Sequence, residues 1–105
     1  MQTWVARVAD SYVLTLRARN DLAEIRDYIS QHDPRAALHL LESFRESFRR
    51  LGEYPRIGRE RDDLASRPVR TWPVGQYLIV YEAGSPTVIL RVVSGYRNLP
   101  ELLGG

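Results

Sequence analysis

Apolar positions along this chain alternate, then recur at helical spacing, then alternate again, and that succession predicts the architecture. Tyr12-Val13-Leu14-Thr15-Leu16 places Tyr12, Leu14 and Leu16 on one face, the period of a half-buried strand. Asn20 reads as the N-cap of a first helix, with Asp21 and Glu24 in its opening turn, where the helix dipole favours acids. Leu22, Ile25 and Ile29 mark the apolar face of that helix to about Gln31, with Tyr28 at its edge. Asp33-Pro34 is a second start signal, a capping acid before a proline at the first helical position. Ala37, Leu41, Phe44, Phe48 and Leu51 follow at alternating steps of four and three, an amphipathic stripe. Gly52 reads as the stop of this helix, and Tyr54-Pro55 keeps it stopped. So short a turn between two helices predicts an antiparallel hairpin.

Strand periodicity returns after a charged stretch. Arg56 to Pro68 reads as a polar loop, and Val69 to Trp72 as a short strand ended by Pro73. Gly75 turns the chain into Tyr77 to Tyr81, apolar on both faces and therefore central. Gly84-Ser85-Pro86 closes a hairpin to a strand from Val88 to Val93, which Gly95 breaks. Leu99 to Leu103 is a tail suited to covering a sheet edge. The expected organisation is a short leader at residues 1–11 and one α+β domain at 12–105, ordered β-α-α-β-β-β, with a helix hairpin packed on a small, mainly antiparallel, twisted sheet.

Composition narrows the chemistry. A chain of 105 residues that is 44% hydrophobic suits one compact core. It holds no cysteine, so disulfides, thiolate zinc sites and thiol nucleophiles are excluded, which fits a reducing cytosol. No stretch approaches the roughly 20 apolar residues of a membrane span, and the N-terminus lacks the apolar core of a secretion signal. All 15 basic residues are arginine. GC-rich coding explains most of that bias, but the guanidinium fork also suits carboxylate and phosphate. Residues 35–70 carry nine arginines against six acids, an uneven distribution that favours an acidic partner over free nucleic acid.

The motifs add a resemblance. Ala-x-x-Asp-Leu-x-x-Ile-x-x-Tyr-Ile from Ala18 to Ile29, and Pro-x-x-Gly-Arg-x-Arg from Pro55 to Arg61, are similar to the ParE branch of the ParE/RelE toxin superfamily. So are Arg70, Val74-Gly75-x-Tyr77, Ile79-x-Tyr81 and Leu90-Arg91-Val92-x-x-Gly95-x-Arg97. The likeness covers roughly residues 12–103. It implies a RelE/ParE-like fold and a bacterial, cytoplasmic toxin of a type II toxin–antitoxin system, concerned with plasmid stabilisation. It also implies neutralisation by a ParD-like antitoxin whose C-terminal segment wraps the toxin, and inhibition of DNA gyrase, with no cofactor. The alternatives are ribosome-dependent mRNA cleavage of the RelE type, or an inactive, binding-only relative.

Residue chemistry favours grip over catalysis. Cleaving RNA requires a base for the 2′-hydroxyl, charge stabilisation and an acid for the leaving oxygen. Lysine is absent, and the two histidines, His32 and His39, fall at a helix end and within the next helix. Ser94 stands where RelE-like relatives often carry histidine, and Glu82 reads as solvated beside a turn. Two histidines without cysteine or clustered acids make no metal site. Neither a phosphate-binding G-x-x-x-x-G-K pattern nor a nucleophile elbow occurs. No residue is assigned a catalytic role. Arg59, Arg61, Arg70, Arg91, Tyr96 and Arg97 are the candidates for target contact, and Trp72, Tyr77 and Tyr81 those for the antitoxin. The plainer readings stand beside these. Arg91 can pair with Glu82 or a helix carboxylate, and Arg59 and Arg61 can pin their loop through Glu60, Asp62 or Asp63. Arg70 and Arg97 are expected to be exposed, and the three aromatics can be core packing.

Overall fold

The computed structural model describes residues 11–95. Tyr96, Arg97 and the predicted tail and leader, Ser11 excepted, lie outside these residues. The elements are β1 (Tyr12–Leu14), α1 (Leu16–Ser30), α2 (Pro34–Glu53), β2 (Arg59–Glu60), β3 (Arg70–Val74), β4 (Tyr77–Glu82) and β5 (Thr87–Ser94). The fold is α+β, two helices on a five-stranded mixed sheet of order β1-β5-β4-β3-β2. Only β1 runs parallel to its neighbour, β5, and the other pairings are antiparallel. β4 is the middle strand, as its apolar faces predict.

The second helix follows its sequence signals closely at its start. Asp33 caps α2 by accepting the Ala36 amide at 3.1 Å, with Pro34 at the first turn. Ala37, Phe44, Phe48 and Leu51 are buried, and Leu41 packs beside them against the sheet. Phe44 stacks near-parallel on Phe48 at 6.3 Å and meets Tyr77 edge-on at 5.7 Å, while Tyr12 tilts against Phe48 at 5.5 Å. Each fully buried ring of this kind contributes about 1.5–3 kcal/mol through area removed from water.

Two helix boundaries differ from the sequence reading. α1 begins at Leu16, four residues before Asn20, because Thr15 and not Asn20 is the cap, its hydroxyl accepting the Ala18 amide at 3.0 Å. Leu16 is 73% exposed, so the alternation ends at Leu14. Gly52 does not stop α2, which continues to Glu53. Its missing side chain matters for packing instead, since a Cβ there would overlap the hydroxyl of Ser11. Pro73 also lies within β3, beyond the reach of the two-residue β2, so its lack of an N–H is tolerated on an open edge.

A bulge sets the two faces of the sheet. β5 places one extra residue opposite Val80–Tyr81, so Val80 pairs with Arg91 but Tyr81 pairs with Ile89. Ile89 and Val92, three residues apart, therefore both join the helix-side core with Ile79 and Tyr81. Strict alternation forbids that arrangement. Leu90 and Val93 face the other side with Val80, where Leu64 and Val69 pack over them. The supposedly polar loop before β3 thus supplies a lid, with Leu64 almost wholly buried.

Candidate functional site

Where β1 ends, the outward backbone groups of β5 need new partners. β1 pairs only as far as Leu14 with Ile89. The Thr15 amide donates to the Ile89 carbonyl at 3.1 Å and the Thr15 hydroxyl to the Leu90 carbonyl at 2.9 Å. Asp21, six residues further along on α1, accepts the Val92 amide at 2.9 Å. The same carboxylate holds Arg91 in a fork, from Nε to Oδ2 at 2.8 Å and from Nη2 to Oδ1 at 3.0 Å. The Thr15 and Asp21 contacts satisfy backbone groups of β5 that β1 no longer pairs.

Arg91 is accordingly buried, 7% exposed, and its carboxylate partner comes from the helix and not from Glu82. The Asp21 hydrogen bonds push the guanidinium pKa above its ordinary value, overcoming the opposing effect of burial. Asp21 is therefore no dipole ornament of a first turn. Glu82 is not merely solvated either, since Arg67 Nε pairs with it at 2.7 Å.

The loop after α2 is built on two side chains rising from the sheet. Tyr81 is fully buried, its hydroxyl donating to the Pro55 carbonyl at 2.7 Å and accepting the Gly58 amide at 2.8 Å. Burial is the main cause of a phenol pKa above its usual value. Gly58 must lack a side chain because a Cβ would collide with the Tyr81 ring. Arg70 Nη1 donates to the carbonyls of Arg56 at 3.1 Å and Gly58 at 2.8 Å, and Nη2 reaches Glu60 at 3.4 Å. Two expectations are corrected here. Arg70 is tucked beneath the loop with a 16% exposed side chain instead of standing free, and Tyr81 has no surface to offer an antitoxin.

The remaining candidates divide by exposure. Arg61 forms a two-point pair with Asp63, at 3.0 and 2.9 Å, so it pins its own loop. That pairing raises the Arg61 pKa and lowers that of Asp63. Arg59 is exposed on β2, and its side chain makes no hydrogen bond or ion pair among the described residues. Trp72 is half-buried beside α2, where it borders a shallow groove with Arg49 and Arg50. Tyr77 is half-buried at a cleft of about 370 Å³ between α1 and the sheet, with Glu24, Ile25, Tyr28 and Val92 around it. Thr15 and Asp21, the residues that weld α1 to β5, were not singled out from sequence as contacts. A threonine three residues before a helical alanine is the available signal for the cap, whereas the sequence names a helix carboxylate as a partner for Arg91 without saying which.

Neither histidine lies on the sheet. His32 sits in the turn between the helices, edge-on to Tyr28 at 6.1 Å, and His39 is exposed on α2. Among the described residues no trio of His, Cys, Asp or Glu is placed to hold a metal, and no helix is long and apolar enough to cross a membrane.

The two-helix, five-strand arrangement is that of a small α+β domain already seen in a solved structure. It superposes on a solved structure of the chromosomal ParDE TA system from P. aeruginosa with a TM-score of 0.68, covering 81% of this chain and 95% of that one at 24% identity. The sequence comparisons go further. The family model of the ParE toxin of type II toxin-antitoxin system, parDE, matches residues 12–99, and the chain belongs to that family. It is 37% identical over 81 residues to Toxin ParE3 of Caulobacter vibrioides, spanning 75% of this chain and 79% of that protein. It is 32% identical over 89 residues to Putative toxin Y4kP of Sinorhizobium fredii, spanning 85% and 92% respectively.

Proposed function

We propose that this ParE-family chain is a bacterial cytoplasmic toxin that inhibits DNA gyrase by binding it, and that a ParD-like antitoxin neutralises it. Membership of the toxin family supports the toxin and antitoxin halves of this reading. The observation that carries the mode of action is the state of Arg91. Its guanidinium is turned inward and forked by Asp21, whose oxygens are already occupied by three donors. A carboxylate so engaged is poorly placed to take a 2′-hydroxyl proton, and both histidines sit in the helical layer. This supports a surface that grips over one that cleaves RNA.

The test compares two assays on the purified chain. Inhibition of gyrase supercoiling, relieved by the ParD-like protein and unaccompanied by mRNA cleavage in translating ribosomes, is the expected result. Codon-dependent cleavage with supercoiling untouched contradicts it.

A further inference from the structure

The segment from Tyr54 to Arg59 combines two features: a backbone held from below at three carbonyls and one amide, and side chains left outside. Tyr54 to Ile57 is a turn closed by the Ile57 amide on the Tyr54 carbonyl at 3.2 Å, with Pro55 at the position whose fixed φ favours turns. The carbonyls of Pro55, Arg56 and Gly58 are taken by Tyr81 and Arg70, as is the Gly58 amide. Above this platform Tyr54 is 59% and Ile57 42% exposed. Arg56 and Arg59 are exposed too, and neither guanidinium has a hydrogen bond or ion pair among the described residues. Arg59 exerts only a through-space pull on Asp63.

We propose that this stapled turn is the surface by which the chain engages its target, and that the target site is a protein surface with carboxylates beside an apolar recess. The proposal rests on the target-binding reading above and deepens it. Two unpaired guanidiniums call for anionic partners. An exposed tyrosine and isoleucine on the same turn call for an apolar one, which a phosphate backbone does not offer. Tyrosine and arginine are the residues that concentrate binding energy at protein interfaces, and a loop already rigid loses little entropy on docking. The half-buried Tyr77 belongs to a cleft whose lining includes no residue of this turn, and the Trp72 groove runs along α2 up to Glu53, so an antitoxin has other surfaces to use.

Four variants test this in the full chain: Tyr54→Ala/Ile57→Ala, Arg56→Ala/Arg59→Ala, all four together, and Arg56→Glu/Arg59→Glu. Each is assayed for melting temperature, co-purification with the ParD-like protein, growth arrest on induction, gyrase supercoiling and binding of duplex DNA. The expected result is a wild-type melting temperature and retained antitoxin binding. Gyrase inhibition should then be roughly tenfold weaker for each pair, and growth arrest should be lost in the quadruple and charge-reversed variants. Full toxicity in the folded quadruple variant overturns the proposal. Loss of antitoxin binding with toxicity intact also overturns it, because the turn then serves the other partner. An effect confined to the arginine variants and paralleled by lost DNA binding overturns it in favour of nucleic acid. If the wild-type chain arrests growth without touching gyrase, the gyrase reading fails, while loss of arrest in the variants still upholds the turn as the target surface. A wild-type chain that neither arrests growth nor slows supercoiling takes down both readings.

Discussion

The arginine on β5 and the arginines around the loop after α2 carry the same chemical group into opposite circumstances. Arg91 is enclosed between α1 and the bulged strand, with a fixed carboxylate and a backbone amide sharing the site. Arg56 and Arg59 stand in water above a turn whose Pro55, Arg56 and Gly58 carbonyls are taken by Tyr81 and Arg70. In the first place the charge organises the fold, because a buried guanidinium is tolerated only with its partner in place. In the second it is available to another molecule. Arg70 lies between the extremes, its charge used to fasten the loop that displays the others. Residue type alone does not separate these roles; solvent access and hydrogen-bond partners do.

The comparison is most sharply broken at Asp21. Asp21→Ala leaves Arg91 buried without its carboxylate and the Val92 amide without an acceptor, so it should destabilise the domain by about 3–5 kcal/mol in denaturant unfolding. Asp21→Asn with Arg91→Met removes both charges while keeping an oxygen for the Val92 amide. That double variant should recover most of the loss, as replacing a whole buried pair does. A single Asp21→Ala variant as stable as wild type would show that the clamp holds nothing.

A smaller effect is expected beneath the loop. Tyr81→Phe keeps the ring but strands the Pro55 carbonyl and the Gly58 amide, which should lower stability by about 1–3 kcal/mol. Hydrogen exchange at Gly58 should accelerate more than exchange in α2, because the damage is local. Equal acceleration across the chain would mean that the phenol supports the core and not the loop.

The smallest effect is expected at Asp63. Arg61 holds this carboxyl below its unfolded pKa, so the pair adds stability above the unfolded value and loses it as pH falls through the folded one. Asp63 is open to solvent, so Asp63→Asn should move the melting temperature barely at neutral pH and in low salt. The difference should vanish in acid or in high salt. A large, salt-independent drop would place Asp63 in a tighter network than its ion pair with Arg61.

Sequence made the repetitive elements legible and left the ties between them hidden. The stripe from Ala37 to Leu51, the Asp33-Pro34 start and the central strand from Tyr77 to Tyr81 follow from local periodicity, and the structure has all three. The start of α1 was misplaced because Leu16 continued an alternation that the chain abandons once Thr15 turns it into a helix. Gly52 looked like a stop, yet its smallness serves contact with Ser11, a neighbour that no local pattern reveals. Sequence leaves Arg70 as an exposed group and Tyr81 open between core packing and an antitoxin contact, and the structure buries Tyr81. Their partners are backbone atoms of a loop more than ten residues away, and no side-chain pattern encodes those. The bulge that turns Val92 toward the helices is equally silent in sequence, since it depends on how β4 and β5 register.

One titration tests most directly whether enclosed and displayed guanidiniums divide the work in this way. Gyrase supercoiling is measured against increasing amounts of three proteins of matched, verified folding: wild type, the Asp21→Asn/Arg91→Met variant, and Arg56→Ala/Arg59→Ala. The expected outcome is wild-type potency for the variant lacking Arg91, and roughly tenfold weaker inhibition for the variant lacking the two loop arginines. A folded Asp21→Asn/Arg91→Met protein without inhibitory activity, beside a fully potent Arg56→Ala/Arg59→Ala protein, would contradict the account.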